Sequence, residues 1–229
     1  MKPHVISLDT KVGEGRRDAL NFSYKWMRAS TYEDAPDTLK ERIKTMWNLD
    51  PKIKSGIIGC FASHYRAWQE VVRTDQPTIV CEDDAKQRGK IPTSEELPSD
   101  GACLLGGEIC EPTNWRLNKA WKRDKREGYI RRFSKGVNLI DYSHFRWRCN
   151  VSIYYPNAKV AQGILDKVNA EKTLTHADMV LARLRAIKYL WFPSVFDSVD
   201  MGVSQLGKSK PDLRDYKEQK LQRKFFQFF

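Results

Sequence analysis

The chain has 229 residues, 41% of them apolar and 11% aromatic, which fills one packed core and is short for two. No apolar run approaches the roughly 18 residues of a spanning helix, so a transmembrane segment is excluded. A net charge of +11, from 40 Lys and Arg against 29 Asp and Glu, points to polyanionic partners: nucleic acid, an anionic glycan, a nucleotide or a membrane surface.

The opening MKPHVISLDTKVGEGRRD lacks the apolar stretch of a secretory signal. Five cysteines (Cys60, Cys81, Cys103, Cys110, Cys149) show no paired spacing. Together these predict reduced, buried thiols in a cytoplasmic protein and argue against a zinc site. HVISL, residues 4–8, is a β-branched apolar run that reads as a buried strand. TKVGEGRRD follows, with two glycines and then Arg16 and Arg17. It reads either as a glycine turn cradling phosphate oxygens or as an ordinary turn.

DALNFSYKWMRA, residues 18–29, has a helical pattern with Leu20, Tyr24 and Met27 near one face. DTLKERIKTMW predicts a short helix between Pro36 and Pro51. GIIGCFASHYRAWQEVVRTD reads as a glycine-led turn and then a helix, because Ile58, Phe61, Ala62, Tyr65, Trp68, Val71 and Val72 recur at helical steps. PTIVCEDDA is a second buried strand that ends in three adjacent acids, Glu82, Asp83 and Asp84. GACLLGG is a third.

Residues 115–135 hold nine Lys or Arg against two acids, interleaved with Trp115, Trp121, Tyr129 and Phe133. Such a segment grips a nucleic acid or a sugar face, or is a solvated loop with its aromatics tucked inward. FRWRCNVSIYYP then alternates as a strand, NAKVAQGILDKVNAE is a helix, and THADMVLARLRAIKYL is an apolar-striped helix leading into WFPSVFDSVD. The sum is an α/β sheet with parallel pairings in one domain, residues 1–207, and a basic tail, residues 208–229, ending FFQFF.

Acids at a strand end suit a hard dication, since Mg²⁺ and Mn²⁺ take carboxylate oxygens and bridge them to phosphates. A strand-end turn rich in Asp is the plainer alternative. Two metal-dependent chemistries fit: sugar transfer from a nucleotide-sugar, and phosphodiester cleavage. For cleavage, Asp84-Ala85-Lys86 would supply a D-x-K motif with Asp75 as its partner acid.

The stretch GIIGCFASHYRAWQEVVRTDQPTIVCEDDA resembles the core signature of glycosyltransferase family 25, which includes lipooligosaccharide and collagen hydroxylysine galactosyltransferases. The residues that carry the resemblance are Gly56, Gly59, Cys60, Ser63, His64, Trp68 and the triplet Glu82-Asp83-Asp84. VISLD with its Arg pair, CLLGG, CNVSIYYPNAKVAQGIL and THADMVL are similar to other family segments. The resemblance implies a single-domain GT-A-like nucleotide-sugar-binding fold with a mixed, mostly parallel central sheet. It also implies a UDP-sugar donor, Mn²⁺ or Mg²⁺, and transfer of galactose or glucose, commonly with inversion.

Carried onto this chain, the DxD-like metal motif is Glu82 to Asp84, with Asp84 the first choice for metal contact and Glu82 beside it. Ser7, Asp9, Arg16, Arg17, His64 and Asp83 fall in the nucleotide-sugar-binding segments. Asp178 is the candidate catalytic base, or alternatively a helix-start residue, because Thr175-His176-Ala177-Asp178 lacks the family's usual proline. His176 is a metal ligand or a polar turn residue, His64 a site residue or a core histidine, and Cys60 a packing thiol.

The acceptor is read from charge alone. A glycan or glycolipid comes first, held by Trp115, Trp121, Arg131 and Arg132 and approached at the inner membrane face through the tail KLQRKFFQFF. DNA carrying hydroxylated bases, as a phage-type acceptor, comes second. A nuclease or a non-enzymatic nucleic-acid binder is the reading from another class.

Overall fold

The computed structural model describes residues 1–43, 51–108, 133–140 and 148–198. In chain order the elements are β1 (His4–Ser7), α1 (Lys11–Asp18), β2 (Lys25–Arg28), α2 (Asp37–Arg42), α3 (Pro51–Thr74), β3 (Thr78–Glu82), β4 (Ala85–Gln87) and β5 (Cys103–Glu108). They continue with β6 (Gly136–Leu139), β7 (Arg148–Tyr155), α4 (Ala158–Ala170), α5 (Ala177–Arg183), β8 (Tyr189–Phe192) and β9 (Phe196–Ser198).

The strands join one mixed sheet in the order β2-β1-β3-β7-β5-β8-β6, with β4 against β9 and β9 also against β5. β1 runs parallel to β2 and β3, and β5 runs parallel to β8 and β9. β7 is antiparallel to β3 and β5, β6 to β8, and β4 to β9. This is the expected α/β class in a single domain with a mixed sheet, consistent with a GT-A-like fold. The parallel trio β2-β1-β3 sends Ser7, Arg28 and Glu82 to the same edge.

Both faces of the sheet are covered, which is why its strands read as nearly continuous apolar runs. Alternation along β3 puts Val80 on one face and Ile79 and Cys81 on the other. On the first face Ile6, Val80, Ile153 and Tyr155 pack against α3, α4 and α5. Trp68 of α3 is wholly buried there and donates its Nε1–H to the Tyr155 hydroxyl at 2.9 Å. Trp68→Phe deletes that donor and leaves a small cavity, an expected loss of about 2–4 kcal/mol in urea unfolding. A loss under about 1 kcal/mol would take Trp68 out of the core.

Four expectations are corrected. Residues 25–28 form a strand, not part of a helix, because KWMR completes the open edge of β1 in parallel register from His4↔Lys25 to Ser7↔Arg28. The TKVGEGRRD segment is a helix, α1, capped by Thr10, whose Oγ1 accepts from the Gly13 amide at 3.2 Å. Gly13 serves close approach, since a Cβ there would strike the Leu8 carbonyl oxygen.

Gly56 and Gly59 likewise lie inside α3, not in a turn before it. A Cβ on Gly59 would stand 2.7 Å from the Ser30 carbonyl oxygen. One turn on, Ser63 Oγ accepts from the Ser30 amide at 2.8 Å and donates to the Gly59 carbonyl at 2.7 Å. Finally, the helix read from THADMVLARLRAIKYL stops at Arg183, because Arg185 enters the left-handed region at φ 48°, and YLWF joins the sheet as β8.

Candidate active site

The alternation that turns Val80 toward the helices turns Glu82 the same way. α3 meets it with Cys60 and His64, four residues apart and therefore on one helical face. His64 is wholly buried with its Nε2 3.0 Å from Glu82 Oε1, and the Cys60 thiol donates to the same oxygen at 3.7 Å. His64 Nδ1 is buried without a hydrogen-bond partner among the described residues. The tautomer with its proton on Nε2 therefore leaves no buried N–H unpaired.

Asp83 begins the turn after β3 and is turned to β1 and α1. Its Oδ2 accepts from Ser7 Oγ at 2.7 Å and its Oδ1 from Arg16 Nη1 at 3.0 Å, in an ion pair that is almost buried. Arg17 Nη1 donates to the Leu8 carbonyl at 2.7 Å and to Ser7 Oγ at 3.1 Å, and its guanidinium lies 4.4 Å from the centroid of the Trp26 ring. Ser7, Arg16, Arg17 and Asp83 thus form one network that ties the carboxyl ends of β1 and β3 together. Asp9 is exposed just before α1.

Asp84, half-buried, has its carboxyl pushed up to about 7 by burial, and then by the charges of Glu82 and Asp83 against an opposing Arg16. Asp178 sits in the first turn of α5, where its Oδ1 accepts from the Met179 amide at 2.7 Å. Burial raises Asp178 too, the Glu82 charge adds to this, and His176 is the chief opposing influence. Burial acts on Glu82 in the same direction, but the hydrogen bond from His64, with help from Cys60 and Arg16, holds it below the usual carboxylate range. Burial and the neighbouring acids push the Cys60 thiol well up. One ionised carboxylate beside two that are raised is an arrangement that divides acid, base and ligand roles.

The donor set fits a hard dication. Carboxylates crowded in a partly dry site disfavour one another's ionisation, and a dication relieves that penalty. Glu82 and Asp84 are the carboxylates that would hold such an ion, and the Glu82 charge acts on both Asp84 and Asp178. His176, exposed at the start of α5, lies close enough for its charge to act on Asp178.

The nuclease pairing does not assemble. Asp75 accepts from the Ala158 amide at 2.7 Å, at the start of α4. The five residues of β3 separate it from Asp84, roughly 16 Å of strand. Trp115, Trp121, Arg131, Arg132 and the tail lie outside the described residues.

Sequence reading missed a second cationic surface. Lys25, Arg28, Arg66 and Arg73 surround a cavity of about 600 Å³ with the exposed Trp26 at its wall. Glu70 pairs with Arg73 at 2.6 Å and Asp34 with Arg28 at 3.7 Å. No sequence signal marks it, because half of it comes from the strand that mimics a helix. Among the described residues no helix is long and apolar enough to cross a membrane.

Residues 1–92 match the family described as glycosyltransferase family 25 (LPS biosynthesis protein). No curated protein matches the chain. The matched segment runs from β1 through the acid turn to β4 and holds every residue of the Ser7–Asp83 network and of the Cys60–His64–Glu82 cluster. This match supports the assignment of the chain to glycosyltransferase family 25.

Proposed function

We propose that the chain is a metal-dependent glycosyltransferase that moves a hexose, galactose or glucose, from a UDP-sugar to a hydroxyl of a glycan or glycolipid, with inversion. The observation that carries this reading is the cluster of carboxylates of unequal basicity at the carboxyl edge of the sheet, inside the family-matched segment. Asp84 and Glu82 hold the dication. When bound, Mn²⁺ or Mg²⁺ offsets the charge that develops on the departing diphosphate. Arg16, engaged with Asp83, adds positive charge beside that position.

Asp178 takes the proton from the acceptor hydroxyl at its carboxylate oxygen. A base whose carboxyl is raised by burial accepts that proton more readily than an exposed aspartate does. His64 does not touch the donor in this reading: it is sealed in the core and positions Glu82. The +11 charge and the family's place in LPS biosynthesis support an anionic glycan of the lipopolysaccharide type as the acceptor.

The test is nucleotide-sugar binding and hydrolysis with and without Mn²⁺, on wild type and Asp84→Ala. Metal-dependent binding of UDP-galactose or UDP-glucose that Asp84→Ala abolishes is the expected outcome. Binding that ignores both metal and Asp84 would overturn it. Acceptor screening with anionic glycans and with hydroxymethylated DNA then separates the two acceptor classes, the DNA arm being marked by a steep fall with salt.

A further inference from the structure

We propose that Cys60, His64 and Glu82 form a site for a borderline transition-metal ion of the Zn²⁺ class, distinct in chemistry from the hard dication assigned to the acid turn. One ligand atom from each of the three residues lies within 4.8 Å of the others. His64 Nε2 and Glu82 Oε1 are 3.0 Å apart, and Cys60 Sγ and the same oxygen 3.7 Å. A tetrahedral ion with bonds of roughly 2.0–2.3 Å separates neighbouring donors by roughly 3.3–3.7 Å. Two of the three separations are therefore already near the spacing an ion requires, and the third is within 4.8 Å.

The frame is rigid where it needs to be. His64 is wholly buried beside Trp68, at 6.4 Å between ring centroids, and the helix turn bearing Cys60 is tied to Ser30 through Gly59 and Ser63. Access comes from the other side, where the Glu82 side chain is one-third exposed and Cys60 half-buried. The charges of Asp84 and Asp178 act on the Cys60 thiol, so negative charge surrounds the position the ion would take. Three protein donors leave one position open for water or a substrate oxygen.

Ligand chemistry sets the selectivity. Mg²⁺ and Mn²⁺ favour oxygen donors, whereas thiolate with imidazole selects Zn²⁺ and its neighbours. On binding, the Cys60 S–H bond breaks and its proton leaves to solvent as the sulfur–metal bond forms. The imidazole proton relocates from Nε2 to Nδ1, where no described group accepts it, a cost that the metal–nitrogen bond has to exceed, and nothing is oxidised or reduced. The absence of cysteine pairs in the sequence concerns thiol-only clusters; here one thiol is completed by an imidazole one helical turn away and a carboxylate from the neighbouring strand. If Glu82 also serves the hard dication, Zn²⁺ competes for it. That consequence, unlike the site itself, rests on the transferase reading.

Cobalt titration of the full, reduced chain tests the site, because thiolate-to-Co²⁺ charge transfer gives a near-ultraviolet band. The band is expected in wild type, to be discharged by one equivalent of Zn²⁺ and left by excess Mg²⁺. It should disappear in Cys60→Ser and persist in Cys110→Ser and Cys149→Ser. A band that survives Cys60→Ser, or no thiolate band with cobalt in excess, overturns the proposal.

Wild type provides a second measurement free of any folding defect. Zn²⁺ should slow alkylation of Cys60, read by mass spectrometry, by about tenfold or more while Mg²⁺ does not. Equal protection by both ions, or none, counts against the site. Neither readout needs a sugar donor or an acceptor, so this proposal and the transferase reading fail separately.

Discussion

Asp84→Asn is expected to reduce sugar transfer by about 10²–10³-fold or more while making the metal-free protein more stable at pH 8. The first half follows from removing the carboxylate assigned to the dication. The second follows from what that carboxylate does to the fold. Asp84 is held near 7 in the folded protein against 3.8 as its ordinary value, chiefly by burial and then by Glu82 and Asp83. The unfolded chain therefore ionises this group at a lower pH than the folded chain does.

Stability from this group is complete below about pH 4, drains away as pH rises toward 7, and stays lost above it. With partial exposure allowed for, ionised Asp84 costs the metal-free fold about 1–2 kcal/mol at pH 8. An amide of the same shape carries no such charge. Urea unfolding of the two proteins at pH 4 and pH 8 should show a gain that grows by that amount between the two values. An equal gain at both would assign the effect to something other than charge. Lost activity with unchanged or lower stability at pH 8 would mean that Asp84 is a structural residue.

Asp178→Asn should lower kcat by about 10²–10⁴-fold and leave the donor KM nearly unchanged. Asparagine keeps the side-chain oxygen that accepts from the Met179 amide, so the start of α5 is preserved. What disappears is the capacity to take a proton. Because burial raises this carboxyl, wild-type kcat should decline on the acid side at a higher pH than an ordinary aspartate would dictate. The residual activity of the variant should show no such limb. Retention of more than about a tenth of wild-type kcat would reduce Asp178 to a helix-start residue and leave the base to be found elsewhere.

The parts of this site that were readable in the sequence are those in which local pattern and tertiary role agree. The stripe from Ile58 to Val72 and the run Thr78 to Cys81 are buried on both counts, so α3 and β3 could be placed and Glu82 assigned to a strand end. β2 was not readable. Its burial is slight and its strand state comes from hydrogen bonds to β1, a decision made outside the segment.

α1 was obscured by its two glycines, which lower helix propensity, although Thr10 three residues before Gly13 is the pattern of an N-cap. The approach of Asp178 to Glu82 has no local signature at all, since it depends on α5 packing under a sheet completed by strands from both halves of the chain. Family resemblance named Asp178 where periodicity alone would have passed over it. For the same reason the nuclease alternative is open in the sequence and closed only in the fold, where β3 holds Asp75 and Asp84 at its opposite ends.

The antiparallel clasp of β4 by β9 bears on how the protein is made. Lys86 pairs with Asp197, and Val80 of the strand leading to the acids pairs with Ile153. Residues 1–92 therefore hold the family signature without holding the partners that complete its sheet. Contacts this distant in sequence form late and slowly. On a ribosome releasing the chain from its N-terminus, the three acids emerge early, yet their turn stays unclasped until β9 has followed. Until then a nascent chain carries these carboxylates as an open, hydrated cluster, and on the proposed reading capture of a metal would wait for nearly the whole described fold.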